Sequence, residues 1–180
     1  EELVRELKLM EPLPALEPAA CLYEAAQNHG NEVAETGRKT HLGKDGSYPW
    51  TRITTACPNV PKGDENFVSG YEDPEPAVLY LLIDADIENR NHRKTLLNPN
   101  DGYSSCYEIG VVGDEPNNWI QVFGEHTPGD RPPKDLPKVE IPDEERTTMS
   151  SKEKDMLKEI NLLRADPVGY IEYVEEYIED

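Results

Sequence analysis

Apolar positions along this 180-residue chain recur in short periodic segments, each bounded by a turn or cap signal. Leu22, Ala26, His29 and Val33 fall at i, i+4, i+7 and i+11, one face of a helix. Glu17-Pro18 is expected to open that helix, because proline is tolerated at the first helical position, and Gly37 to end it. His29 is thereby placed on an apolar face, where a core histidine bonded to a main-chain carbonyl is expected. Lys44-Asp45-Gly46 reads as a turn. Pro49 starts a short helix from Trp50 to Ala56, with Trp50, Ile53 and Cys57 predicted to face inward. The stretch "KGDENFVSG" is too short for a helix between its glycines and reads as extended. Asp73-Pro74-Glu75 is a helix start, with a cap, proline in the first turn and an acid beside it. That helix runs through Ala77, Val78, Leu81 and Leu82 to about Asp84. A further helical piece, "NHRKTLLN", stops at Pro99. "SCYEIGVVG" and "NWIQVFGE" are rich in β-branched and aromatic residues and read as strands, joined by a hairpin loop over Asp114 to Asn117.

The pattern then changes. Residues 127–149 mix prolines and acids with almost no large apolar side chains, which reads as an extended linker. After it, Ser150-x-x-Glu153 is a capping box, and Met156, Leu157, Ile160 and Leu163 form a helical stripe. Asp166-Pro167 breaks and restarts the helix, and Tyr170, Ile171, Val174, Tyr177 and Ile178 continue an apolar face. Such a pair is marginal alone and needs a surface to cover it. The organisation expected is therefore a core over 1–126, a linker over 127–149 and an amphipathic helix pair over 150–180.

Composition narrows the partners. The chain has 37 acidic and 18 basic residues, a formal net charge of -19. Phosphate backbones and anionic membranes repel such a surface, so nucleic acid is excluded as a partner class and cations are favoured. No run of about 18 apolar residues is present, so no membrane span is expected. Of the cysteines, Cys21 lies on a predicted helix and is expected buried and reduced. Cys57 and Cys106 sit in loop-like contexts and are the pair considered for a disulfide.

Four polar residues stand apart by type and context: His41, Glu65, Asp84 and His92. Asp84 shares a helical face with Ala77 and Leu81, which points it towards the domain. Two imidazoles and two carboxylates suit zinc or a similar divalent ion, and equally acid–base pairs. Spacing alone does not bring them together. His41 could bond loop backbone, Glu65 could cap a turn, Asp84 could cap the following helix, and His92 could be solvated. Arg90, Arg93 and Lys94 beside His92 are expected to neutralise Asp84, Asp86 and Glu88.

The ordered motifs "HLGKDGSYPWTRI", "DENF", "NRNHRKTLLNP", "YEIGVV" and "WIQVFG" resemble the bacterial branch of the CAP superfamily, the SCP-like extracellular proteins. With the preceding helix, the resemblance covers about Leu16 to Gly124. It implies an α+β fold, an α-β-α sandwich with a small antiparallel sheet between helices. It also implies a cleft in which His41, Glu65, Asp84 and His92 hold a divalent metal, zinc above others. Asp84 stands where the family more often has Glu, with Asp86 as its substitute, and Asp64 stands where the family usually has Gly. "EINLLRADPVGYIEYV" resembles the family's first helix, here displaced to the C-terminal end. A circular permutation, a following tandem CAP domain or a helix-swapped oligomer would each explain this. The stretch from Gly124 to Ser150 spans on the order of 80 Å when extended, so return to its own domain is permitted.

Three functions are compatible with these features. The first is a secreted, extracellular or periplasmic module binding a divalent cation and a small-molecule or peptide ligand without turnover. The second is a metal-dependent hydrolase. The third is a cell-surface interaction domain with a vestigial cleft. No GxSxG motif and no paired Cys/His context is present, which favours the first.

Overall fold

A computed structural model of the protein describes residues 1–97, 106–114, 117–125 and 149–179. The expected stop at Pro99, residues 115–116 of the hairpin loop and the linker up to residue 148 lie outside the described residues. Seven helices and four strands are present among the described residues: α1 (Glu2–Leu9), β1 (Glu17–Pro18), α2 (Ala20–Thr36), α3 (Pro49–Ala56), β2 (Gly63–Ser69), α4 (Pro74–Ile83), α5 (Asn91–Leu97), β3 (Cys106–Asp114), β4 (Asn118–Glu125), α6 (Ser151–Ala165) and α7 (Ile171–Glu179).

The strands lie in the order β1-β3-β4-β2. β2, β4 and β3 pair antiparallel, and the two-residue β1 adds a parallel edge on β3. Alternation along the strands sorts side chains to two faces. Trp119 and Phe123 of β4, with Ile109 and Val111 of β3, join a core made with α1, α4, α6 and α7. Ile120 and Val122, with Val112, join a second core under α2 and α3. The sheet is thus covered on both faces, the expected sandwich, with the short parallel edge as an addition. Helix α2 lies directly on the main chain of β3. A Cβ at Gly110 would overlap the backbone of Leu22 and Tyr23, so only glycine permits that approach.

Where signals are local, the expected elements form. Gly37 ends α2 in the left-handed conformation, at φ 66°. Ser150 and Glu153 make both bonds of the capping box that opens α6. Met156, Leu157, Ile160 and Leu163 are fully buried. The α6–α7 pair packs on α4 and β3 of its own chain.

Four expectations are corrected. Glu17-Pro18 does not open a helix. The N–H of Ala19 donates to the Ile109 carbonyl at 3.0 Å, so the chain pairs as a strand before α2 begins at Ala20. Trp50 is 56% exposed and stacks on Tyr48, because Pro49, Ile53 and Cys57 form the inward i, i+4, i+8 line and Trp50 stands one position off it. Cys21 is not reduced. It bonds Cys57, tying α2 to the C-terminal cap of α3, and this removes Cys57 from any pairing with Cys106. Finally, the side chains of Arg90 and Arg93 do not pair with the acids beside them. Arg93 donates to the carbonyls of Leu82 and Ile83 and pairs with Glu2 and Glu6 of α1, while Arg90 donates to the carbonyls of Asp84, Ala85 and Ile87. The Leu82 and Ile83 carbonyls that Arg93 takes lie in the last turn of α4, where a cation is favoured. Helix α1 carries no sequence expectation. Its leucines Leu3 and Leu7 are buried, and Arg90 and Arg93 hold the Glu2 carboxyl below the usual carboxylate range.

Candidate functional site

The polar residues singled out from the sequence form two carboxylate–histidine pairs. Glu65 belongs to β2, which delivers its side chain into the interior beside α2 and α3. The Glu65 side chain is 1% exposed, yet both oxygens are bonded. Oε1 accepts from His41 Nδ1 at 2.9 Å, and Oε2 accepts from Arg52 at 2.8 Å. A buried carboxylate is costly unless it is paired and hydrogen-bonded, and here it is both. Arg52 comes from α3, and its second nitrogen donates to the carbonyls of His41 and Ser47, both at 3.0 Å. One guanidinium therefore neutralises Glu65 and clips the loop that carries His41.

The second pair is built where α4 gives way to α5. Asp84 is the cap residue of α4, held at φ 50° and ψ 40°. Aspartate tolerates this left-handed conformation better than most residues. The turn swings the carboxylate away from the α4 face and beneath the first turn of α5. There Oδ2 accepts from the His92 N–H at 2.9 Å and Oδ1 accepts from His92 Nδ1 at 2.8 Å. The helix-capping role and the pairing with His92 are therefore one arrangement. Asp86, the substitute acid, is exposed.

β2 links the two pairs. Asn66, one residue past Glu65, donates to the main-chain carbonyl of His92 at 3.3 Å, and Asp64 accepts from Thr95 of α5 at 3.0 Å. Asp64, which departs from the family's usual glycine, is thus a bond between β2 and α5.

Both histidines are held the same way. With the carboxylate ionised, Nδ1 must carry the proton, and Nε2 is left with its lone pair. His41 is 47% exposed and His92 19%, while their acids are buried. Each pair is a buried anchor with a partly open imidazole edge. Among the described residues no group of three or more His, Cys, Asp or Glu lies in a metal-holding arrangement. In each pair the Nε2 edge is turned away from the acid, which is bound to the opposite ring nitrogen.

Sequence reasoning placed His29 in the core bonded to a carbonyl, and its Nε2 lies 2.8 Å from the Thr40 carbonyl. It did not find Arg52, whose relevance depends on α3 packing against β2.

An α-β-α sandwich carrying two carboxylate–histidine pairs joined through one strand defines the class. The cysteine-rich secretory protein family, CAP, matches residues 2–106, more than half of the chain, and the chain belongs to that family. Two solved structures are similar in fold. An outer surface protein from Borrelia burgdorferi is 22% identical over 70% of this chain and 86% of its own, with a TM-score of 0.49. An extracellular protein containing an SCP domain from Bacillus anthracis is 20% identical over 63% of this chain, with a TM-score of 0.50, and the match spans 34% of that protein. No curated protein matches the chain.

Proposed function

We propose that the protein is an extracytoplasmic CAP module that takes one divalent cation, zinc by preference, with His41 and His92 as the residues that would hold it through Nε2. Glu65 and Asp84 orient the rings and balance charge from the opposite ring nitrogen. This divides the set of four into two ligands and two orienting acids. The observation that carries the reading is the repeated geometry: in both pairs Nδ1 faces a buried carboxylate, at 2.9 and 2.8 Å. That fixes the tautomer a metal requires. A bound ion supplies a Lewis-acidic centre with positions open to a small or peptide ligand carrying an oxygen or nitrogen donor.

Among the described residues no hydroxyl or thiol bonds to either imidazole, so a mechanism through a side-chain nucleophile has no support there. The Cys21–Cys57 disulfide supports an oxidising compartment. The neighbouring proteins described as extracellular and outer-surface accord with that location. No helix among the described residues is long and apolar enough to cross a membrane.

Calorimetric titration with zinc tests the reading. Wild type is expected to bind, and His41→Ala with His92→Ala to abolish the heat while the fold persists. Protons compete with a metal for imidazole nitrogens, so affinity should fall on acidification from about pH 8 to about pH 5. Binding that is absent, or insensitive to both substitutions, would refute the proposal.

A further inference from the structure

His29 of α2 is a third histidine against the Glu65 pair, and it is sealed: its side chain is 1% exposed. Its Nε2 lies 2.8 Å from the Thr40 carbonyl and 3.8 Å from Glu65 Oε1, the oxygen that His41 also uses. A carbonyl only accepts, so Nε2 carries a proton and donates it to Thr40. Its Nδ1 has no hydrogen-bond partner and lies 3.5 Å from Glu32 Oε2. Leaving a buried nitrogen unpartnered is costly, and a core position served only by packing would be filled more cheaply by an apolar side chain.

Thr40 immediately precedes His41. The loop that carries His41 is held by polar bonds. His29 takes the Thr40 carbonyl, Arg52 takes the carbonyls of His41 and Ser47, and Glu32 Oε2 accepts the Lys44 N–H at 3.1 Å. Beneath the loop, between it and α2, lies a cavity of about 270 Å³ lined in part by His29, Glu32, Thr36, Thr40 and Leu42. Loss of the bond to Thr40 would remove the fastener immediately before His41.

We infer that His29 is a positioning residue for His41: its Nε2–H fixes the Thr40 carbonyl and, beside Glu65 Oε1, sets the place from which His41 meets the same oxygen. His29 touches no ligand and acts through His41. The consequence for cation affinity rests on the function proposed above, but the positioning itself does not, and the two can be read separately.

The test compares His29→Leu, which keeps volume without a donor, with His29→Gln, whose terminal amide can donate from nearly the Nε2 position. Nitrogen-15 NMR of the His41 ring in metal-free protein reads positioning directly. Wild type and His29→Gln should show the single Nδ1–H tautomer, whereas His29→Leu should show mixed tautomers. Zinc affinity should fall about tenfold in His29→Leu and recover in His29→Gln. If zinc binds neither wild type nor variants, the cation reading fails while the NMR result still decides the positioning. A folded His29→Leu with the wild-type His41 spectrum would overturn the inference. Should His29→Leu not fold, His29→Asn, too short to reach Thr40, replaces it against His29→Gln. Equal His41 spectra in those two, or loss of fold in both, would equally overturn it.

Discussion

Asn161 and His41 are both planar polar groups held by buried partners, and they end in opposite states. Asn161 of α6 uses both ends of its amide on one residue: Oδ1 accepts from the Leu16 N–H at 2.8 Å and Nδ2 donates to the Leu16 carbonyl at 3.0 Å. One turn on, Arg164 donates to the carbonyls of Pro14 and Leu96. Both side chains are buried, and they fasten α6 to the chain segment leading into β1. His41 and His92 bond inward through one nitrogen only and leave the other edge partly open. Buried polar groups bonded at both ends specify a fold, whereas a ring bonded at one end and partly open at the other is available to the proposed site. The α6 region therefore reads as architecture and the paired histidines as function.

Removing covalent and polar fasteners away from the histidines should cost stability and leave ion binding intact. The largest effect is expected for Cys21→Ser with Cys57→Ser, which opens a link of sequence separation 36. Chain-entropy arguments put its loss at about 3–4 kcal/mol, measurable by urea denaturation. Asn161→Ala leaves the Leu16 N–H and carbonyl buried and unbonded, which should cost about 2–4 kcal/mol with zinc affinity unchanged. If either change abolished zinc binding in folded protein, the division between architecture and site would fail.

The acids of the pairs should behave the other way. Glu65→Gln and Asp84→Asn keep shape while weakening the hold on the rings. Each is expected to lower zinc affinity about tenfold or more by calorimetry. The smallest effect concerns Glu159 of α6, whose carboxyl is raised by burial, against the opposing hydrogen bond from Tyr170 at 2.6 Å. A carboxyl raised on folding binds its proton more tightly in the folded state, so its stability contribution is present below the unfolded value of 4.5 and is lost as pH rises through the folded value. Glu159→Gln should remove that part of the pH dependence and be slightly more stable than wild type at neutral pH, as thermal melts between about pH 4 and 7 would show.

How much of this was legible in the chain follows the range of the interactions. The capping box at Ser150, the break at Asp166-Pro167 and the strands β2, β3 and β4 rest on neighbours a few residues apart, and periodicity suffices. Asp84 and His92, eight residues apart, were legible as candidates, but the left-handed turn that joins them was not, because nothing in the local pattern demands it. The partners of Arg93 lie 87 and 91 positions away on α1, a helix whose two buried leucines are too few to make a periodic signal. The same holds for Cys21 and Cys57, whose meeting depends on how α2 and α3 pack. The resemblance to the family supplied the candidate residues; it could not say which nitrogen of each ring faces outward.

That last point is where the account is most directly tested. Nitrogen-15 NMR of the histidine rings during zinc titration should show Nε2 of His41 and of His92 shifting together, complete at about one equivalent per chain, with His29 unmoved. Independent shifts with separate saturation, shifts at Nδ1, or no shift of either ring would contradict it.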